Sequence, residues 1–292
     1  MNLKTAHPFT ALVFFALAGI LSMLTKDPIF SLTALIFVML YSLFLFGIRE
    51  WLSDIAFYLP LFLMISVINP MFSHNGMTPL FFLNGNPVTL EAVIYGVFIG
   101  VFVIAILYLC KCFTEIMTGD KILFLLGNIA PKIALMISMI LRFVPLFKER
   151  YKKASDAQKA LGVYSSESRT DRLKCAAEVF SAVIAQSLER SVEVSASMRS
   201  RGYGAGKRSS YSLFRFTRAD ALLTSACILI FALIFISYLF GVLSFDFYPR
   251  ISELSFDLPH ILTYGAYAVF MLIPVALEIK ENLKWKYLIS KI

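Results

Sequence analysis

Charge, histidine and paired cysteine are all scarce in this sequence, and each scarcity excludes a kind of chemistry. Only 16% of the 292 residues are charged while 59% are hydrophobic. A soluble domain carries about 25% charge and about 45–50% apolar residues, so a water-soluble globular fold is excluded. The three histidines, His7, His74 and His260, stand singly, and none has a partner at metal-ligand spacing. The four cysteines, Cys110, Cys112, Cys175 and Cys227, make no C-x-x-C pair; they read as small apolar residues rather than zinc ligands or a disulfide framework. Neither G-x-S-x-G nor H-E-x-x-H occurs, which removes the common hydrolase and metalloprotease signatures. Gly202-Tyr203-Gly204-Ala205-Gly206-Lys207-Arg208 is a near miss for a phosphate loop. Three residues separate Gly202 from Gly206 where four are needed, and Arg208 takes the hydroxyl position. No catalytic residue, metal site or cofactor is therefore expected.

What the chain does contain is a set of long apolar runs. A bilayer-spanning helix needs about 20 mostly apolar residues. Six segments qualify as candidates: 10–25, 28–47, 55–72, 91–110, 220–243 and 260–279, the first of them short. The break Thr25-Lys26-Asp27-Pro28 has no small-residue cleavage pattern, so the first two runs are expected to form a helical hairpin rather than an export signal. Few ionisable groups fall inside the runs; Glu91 and Asp220 stand at their edges. A mid-membrane ion relay is not evident.

The net charge of +8 would suit a nucleic-acid binder, but its distribution does not. Lys and Arg are sparse over the first hundred residues and concentrate between Lys111 and Arg218. Loop 73–90 has neither, and loop 244–259 has only Arg250. The tail adds Lys280, Lys284, Lys286 and Lys291. Cationic loops stay on the cytoplasmic side. The pattern predicts an all-α, polytopic protein with six crossings, both termini cytoplasmic, and a cytoplasmic middle facing acidic partners or anionic lipid, not nucleic acid. Its organisation reads as membrane helices over 1–110, cytoplasmic helices over 111–218, and closing membrane helices with a basic tail over 219–292. Segment 122–147 is apolar, but Asn128, Pro131, Lys132, Arg142 and Pro145 interrupt it. A seventh crossing there would export the basic stretch that follows, so amphipathic surface helices are expected instead.

Two helices dominate the middle third, one from near Pro131 to about Gly162 and one from about Thr170 to Tyr203. Residues 163–168 between them read as a loop, with Thr170 or Asp171 as cap. The second helix is rich in small residues, among them Ala182, Ala185, Ser191 and Ser195, which suits a close helix crossing. Both helices end alike, at Ala160-Leu161-Gly162 and at Arg199-Ser200-Arg201-Gly202. Glycine there serves a helix stop, and arginine offers a fork of donors for an acidic groove.

These stretches resemble the transmembrane (T) component of energy-coupling factor transporters, the EcfT/CbiQ-like family. Ser200-Arg201-Gly202 is similar to the family's second Ala-Arg-Gly-type motif, and Ala160-Leu161-Gly162 occupies the place of the first. Leu141-Arg142-Phe143-Val144-Pro145 and the His7-Pro8 start also fit. The likeness covers nearly the whole chain, with one departure: Leu161 stands where the family usually has arginine. The resemblance implies a non-enzymatic coupling subunit in a prokaryotic cell membrane, serving vitamin or metal-ion uptake. It implies two ABC-type ATPase subunits bound at the tips, through Arg199, Ser200, Arg201 and Gly202 and through Ala160, Leu161 and Gly162. A small substrate-binding membrane (S) component would sit on Ala182, Ala185, Ser191 and Ser195, with membrane lipids around. The alternatives are a self-contained secondary transporter, for which Asn69-Pro70 offers a helix break, and a membrane-bound transferase.

Overall fold

A computed structural model describes residues 3–73, 76–83, 86–161, 169–206, 214–252 and 256–290. In chain order the elements are α1 (Pro8–Leu24), α2 (Pro28–Phe46), α3 (Ile48–Phe72), β1 (Pro79–Leu83), β2 (Asn86–Thr89), α4 (Leu90–Ile116), α5 (Gly119–Ile129), α6 (Pro131–Ala160), α7 (Arg169–Ser200), α8 (Arg218–Leu239) and α9 (Leu258–Ile289). The protein is an all-α, polytopic membrane protein. Helices α2, α3, α4, α8 and α9 are long and apolar enough to cross a bilayer, while α1, at 17 residues, is shorter. By internal packing the chain divides into two compact units, Met1–Ile122 with Phe214–Ile292, and Leu123–Leu213.

The helix starts of the first unit follow local chemistry. Pro8 and Pro28 occupy first-turn positions, where a missing N–H costs nothing. Asp27 caps α2, its carboxylate accepting the Ile29 N–H at 3.1 Å. Thr89 caps α4 through the Ala92 N–H at 3.3 Å. Thr217 and Asp220 form a reciprocal capping box at the start of α8.

Within this unit α4 packs on α2 and α3, α2 on α9, and α1 on α8. Two glycines set the α3–α4 distance. A Cβ on Gly96 would meet the Ser66 carbonyl oxygen at 2.8 Å, and one on Gly100 would meet the Phe62 ring at 2.7 Å. The Gly96-x-x-x-Gly100 spacing presents both to one face, which lets the backbones approach closely. Aromatic side chains fill the core: Phe14 stacks on Phe270 at 5.1 Å and Phe30 lies 4.3 Å from Tyr267.

Some polar groups in this unit are buried with partners, while the Ser31, Tyr41 and Tyr108 hydroxyls are buried without one among the described residues. Tyr264 donates to Asp27 at 2.6 Å, and Ser22 and Tyr267 share a hydrogen bond at 3.0 Å; the contacts tie the start of α2 and the end of α1 to α9. Asp220, buried in α8, accepts from the Thr217 N–H at 3.0 Å, the Thr217 hydroxyl at 2.6 Å and the His7 N–H at 3.1 Å. His7 in turn packs edge-on against Phe216 at 5.2 Å. Burial pushes the His7 imidazole below its ordinary pKa, against the opposing pull of Asp220. The chain start is held further by a Lys4–Glu115 ion pair at 3.0 Å and by Lys121, which donates to the Lys4 carbonyl at 2.8 Å. Burial lowers the Lys121 pKa, and neighbouring Lys4 adds to that.

Several sequence expectations take a different form in the structure. Residues 73–90 are not a plain loop, because β1 and β2 pair antiparallel within them. Helix α3 continues through Pro60 and Pro70, so Asn69-Pro70 is no break. Lys111, at the start of the basic segment, is held by neighbouring helices. It lies within α4, pairs with Asp54 of α3 and sits 4.3 Å over the Phe46 ring. Helix α7 begins at Arg169, one residue before Thr170. His74, the loop 163–168, Lys207 and Arg208 lie outside the described residues.

Candidate functional site

The second unit is built around α6 and α7, and here apolar side chains stay exposed. Neither helix is apolar enough for a span, because Lys148, Arg150, Lys152 and Lys153 interrupt α6 while Glu178, Glu189, Arg190 and Glu193 interrupt α7. Glu149 pairs with Lys153 at 2.7 Å; that hydrogen bond and charge hold the Glu149 carboxyl below its usual range. Helix propensity and i,i+4 pairing of this kind stabilise a helix only by tenths of a kcal/mol per pair. Packing must supply the rest.

The two helices run antiparallel. Leu135, Met139 and Phe143 of α6 line one groove with Val194 and Met198 of α7 and Tyr203 beyond it. Further along, Phe147 of α6 meets Phe180 of α7 edge-on at 6.3 Å. The groove encloses about 490 Å³ and is walled largely by apolar atoms. Ser191 and Ser195, two of the four residues expected to receive a membrane partner, lie in its wall. Ala182 and Ala185 are exposed elsewhere on α7. The fully buried α7 residues are Val179 and Val183, so the small-residue surface is left open rather than consumed by the α6–α7 contact.

The α7 tip has a defined geometry. The Tyr203 N–H donates to the Met198 carbonyl at 3.0 Å and the Gly202 N–H to the Arg199 carbonyl at 3.0 Å. This pair of bonds is a Schellman motif with Gly202 at its left-handed position, φ +83°. A side chain at residue 202 would be strained by that backbone angle although the surrounding space is open. Ser200 closes the last turn through its hydroxyl on the Ser197 carbonyl at 2.9 Å. Arg201 is the C-cap residue and is exposed; Arg199 lines the groove beside it. At the α6 tip, the Leu161 N–H donates to the Ala157 carbonyl at 3.1 Å. Ala160 and Leu161 are exposed, Leu161 by 79%. Gly162 lies outside the described residues.

Antiparallel pairing separates the two tips. Leu135 is level with the Arg199–Tyr203 end of the groove, and α6 then runs on to Leu161. At 1.5 Å per residue that is about 39 Å along the helix.

The model of the cobalt transport protein family, CbiQ, matches residues 3–212. The chain belongs to the CbiQ family. The match takes in α1 to α7 and both tips, and it stops before α8. Three relatives carry the printed name energy-coupling factor transporter transmembrane protein EcfT. That of Listeria innocua is 32% identical over 106 residues, 36% of this chain and 40% of its own length. That of Lactobacillus helveticus is 32% identical over 107 residues, 36% and 39% respectively. That of Bacillus subtilis is 31% identical over 106 residues, 36% and 40% respectively. The chain thus spans about two fifths of the length of the curated relatives it matches.

Sequence reasoning about this CbiQ-family chain expected amphipathic helices over 122–147 but missed the apolar stripe of α7. Leu173, Phe180, Ile184, Leu188 and Val192 form an exposed apolar stripe along α7, and Ile133, Met136, Ile140 and Val144 form another along α6. Their spacing by mostly three or four residues was the available signal. It is diluted by the charged residues between them.

Proposed function

We propose that this chain is the transmembrane coupling subunit of an ATP-driven importer of the energy-coupling factor class, with the α6–α7 pair as its lever. The observation that carries this reading is the pair itself: two helix tips about 39 Å apart along α6, joined by exposed apolar surface that a soluble helix pair would bury. One ABC-type ATPase takes the α7 tip through Arg199, Ser200, Arg201 and Gly202. The second takes the α6 tip through Ala160, Leu161 and Gly162. The guanidinium of Arg201 makes charge-assisted, two-pronged bonds to an acidic groove, whereas Leu161 holds by apolar packing. A small substrate-binding membrane protein lies along the open face of α7, at Ala182 and Ala185, and into the Ser191–Ser195 wall of the groove.

Coupling follows from rigidity. ATP binding draws two ATPases together, and hydrolysis lets them part. Each tip is the end of a continuous helix, so a displacement at the tip is passed along α6 or α7 to the groove. Changing the groove's opening reorients whatever membrane protein sits in it. The subunit itself needs no catalytic group for this, and the transported micronutrient, a vitamin or a metal ion, is selected by the partner. The basic middle third is cytoplasmic in this reading, as are both termini, in a prokaryotic cell membrane.

The test is Arg201→Glu in the coexpressed complex. The expected outcome is loss of ATPase copurification and of uptake, with membrane insertion and yield of this subunit unchanged. Arg201→Lys keeps the charge but not the fork and should retain an intermediate fraction. Full recovery of both ATPases with Arg201→Glu would overturn the assignment of this tip.

A further inference from the structure

Beyond the groove of α6 and α7, on the side away from Tyr203, lies a second, smaller cavity of about 120 Å³. Phe143, Leu146 and Phe147 form its apolar side, and Arg150 of α6 and Arg190 of α7 both line it. Phe143 and Ser191 belong to both cavities, so the arginine cavity is continuous with the 490 Å³ apolar groove.

Among the described residues neither arginine has a carboxylate within ion-pair distance. The carboxylate adjacent to Arg150, Glu149, is already bonded to Lys153. Ser187 and Ser191 spend their hydroxyl hydrogens on the Val183 and Leu188 carbonyls, at 2.6 and 2.7 Å. The donors left for a ligand are therefore the two guanidinium groups. Two guanidinium groups facing one cavity match a phosphate better than a single carboxylate, because each can donate in parallel pairs to separate oxygens.

The apolar floor decides what bears the phosphate. A free phosphate ion or a soluble phosphate ester would leave Phe143, Leu146, Phe147 and the adjoining groove in contact with water. A phosphodiester attached to acyl chains would cover them. Basic pockets between helices on the cytoplasmic side are suited to anionic lipid headgroups. We propose that Arg150 and Arg190 hold the phosphate of one anionic phospholipid of the cytoplasmic leaflet, with its acyl chains lying on Phe143, Leu146 and Phe147. The cytoplasmic side is taken from the function proposed above; the lipid site itself does not depend on which proteins dock at the tips.

The experiment is native mass spectrometry of the full detergent-purified chain, titrated with dioleoyl phosphatidylglycerol and, separately, with dioleoyl phosphatidylcholine. The wild-type chain should retain phosphatidylglycerol about tenfold more strongly than phosphatidylcholine, equivalent to about 1.4 kcal/mol. The double variant R150Q/R190Q should hold one strongly bound phosphatidylglycerol fewer, and R150K/R190K should keep part of the preference. ATPase copurification by the Gln variant should stay at the wild-type level, which separates failure of this site from failure of the coupling role. An unchanged lipid distribution in R150Q/R190Q would overturn the proposal. So would equal retention of the two lipids by the wild-type chain, a result that needs no variant to fold. Displacement of the lipid by glycerol phosphate at equal concentration would assign the cavity to a soluble anion instead. Loss of a copurifying membrane protein in R150Q/R190Q, with lipid retention intact, would assign the arginines to protein docking.

Discussion

The two compact units both expose apolar side chains, but on helices of different composition. In the membrane-helix unit, the buried carboxylates at two helix starts have partners: Asp220 accepts three hydrogen bonds, and Asp27 caps α2 while receiving Tyr264. In the α6–α7 unit apolar groups are exposed on helices too charged to span a bilayer, with Leu188 and Val192 exposed by 64% and 67%. A buried polar group without a partner costs about 1–3 kcal/mol, so these contacts hold the starts of α2 and α8 in place. An exposed apolar stripe is a surface awaiting a partner. On the function proposed above, the first unit is the anchor and the α6–α7 unit the docking lever.

Substitutions can break that contrast in order of size. Arg201→Glu should have the largest effect on assembly. Truncating a buried, hydrogen-bonded charge at an interface costs about 2–5 kcal/mol, or roughly 30-fold or more in ATPase affinity, with no change in the melting temperature of the isolated subunit. Asp220→Ala should behave in reverse. It strips the capping box and leaves the His7 and Thr217 donors unpaired, so about 2–3 kcal/mol of stability should vanish. A thermal-shift measurement in detergent reads this, and the ATPase affinity of the surviving folded fraction should be unaltered. If Asp220→Ala instead weakened ATPase binding at constant stability, the anchor and lever would not be separate.

Smaller still is the joint change Leu188→Ser and Val192→Ser. Surface positions change stability by about 0.5 kcal/mol or less, so the isolated chain should melt almost normally. Recovery of the membrane-embedded partner should fall several-fold in a pull-down. A large drop in stability with normal partner recovery would show the stripe to be internal packing. The smallest expected effect is a pH dependence at His7. Its folded pKa lies below the ordinary value of 6.5, so the unfolded chain binds the proton more readily. The corresponding stability is present above pH 6.5 and is lost as pH falls through the lowered folded value. His7→Asn should flatten the melting temperature between pH 7 and pH 5, and an equal slope in that variant would assign the dependence to other groups.

Much of the anchor was legible because its determinants are local in sequence. Apolar runs, Asp27-Pro28 and the clustering of Lys and Arg mark spans without reference to distant residues. The hairpin at residues 79–89 was missed although Asn84-Gly85 between apolar stretches is a strong turn signal; the proline at 87 and the expectation of a loop masked it. The Gly96-x-x-x-Gly100 contact and the His7–Asp220 bond depend on which helices become neighbours. Position 220 is 213 residues from position 7, and no local pattern announces that meeting. In the lever, the α7 stop was readable from Arg199 to Gly204, since a Schellman motif needs only glycine after a helix. The antiparallel match of Leu135 with Met198 was not, because both helices carry apolar residues on more than one face. The two arginines of the small cavity looked like two of many basic residues until their helices were paired.

The central claim is that the two tips of one chain hold two ATPases at once. Its most direct test uses a chain with its four native cysteines replaced and single cysteines introduced at Leu161 and at Arg199, coexpressed with ATPases and treated with a short thiol-to-amine crosslinker. Each single-cysteine chain should yield a product with one ATPase, and the chain with both should yield a product containing two ATPases. A double-cysteine chain that never captures more than one ATPase, while each tip alone captures one, would contradict the account.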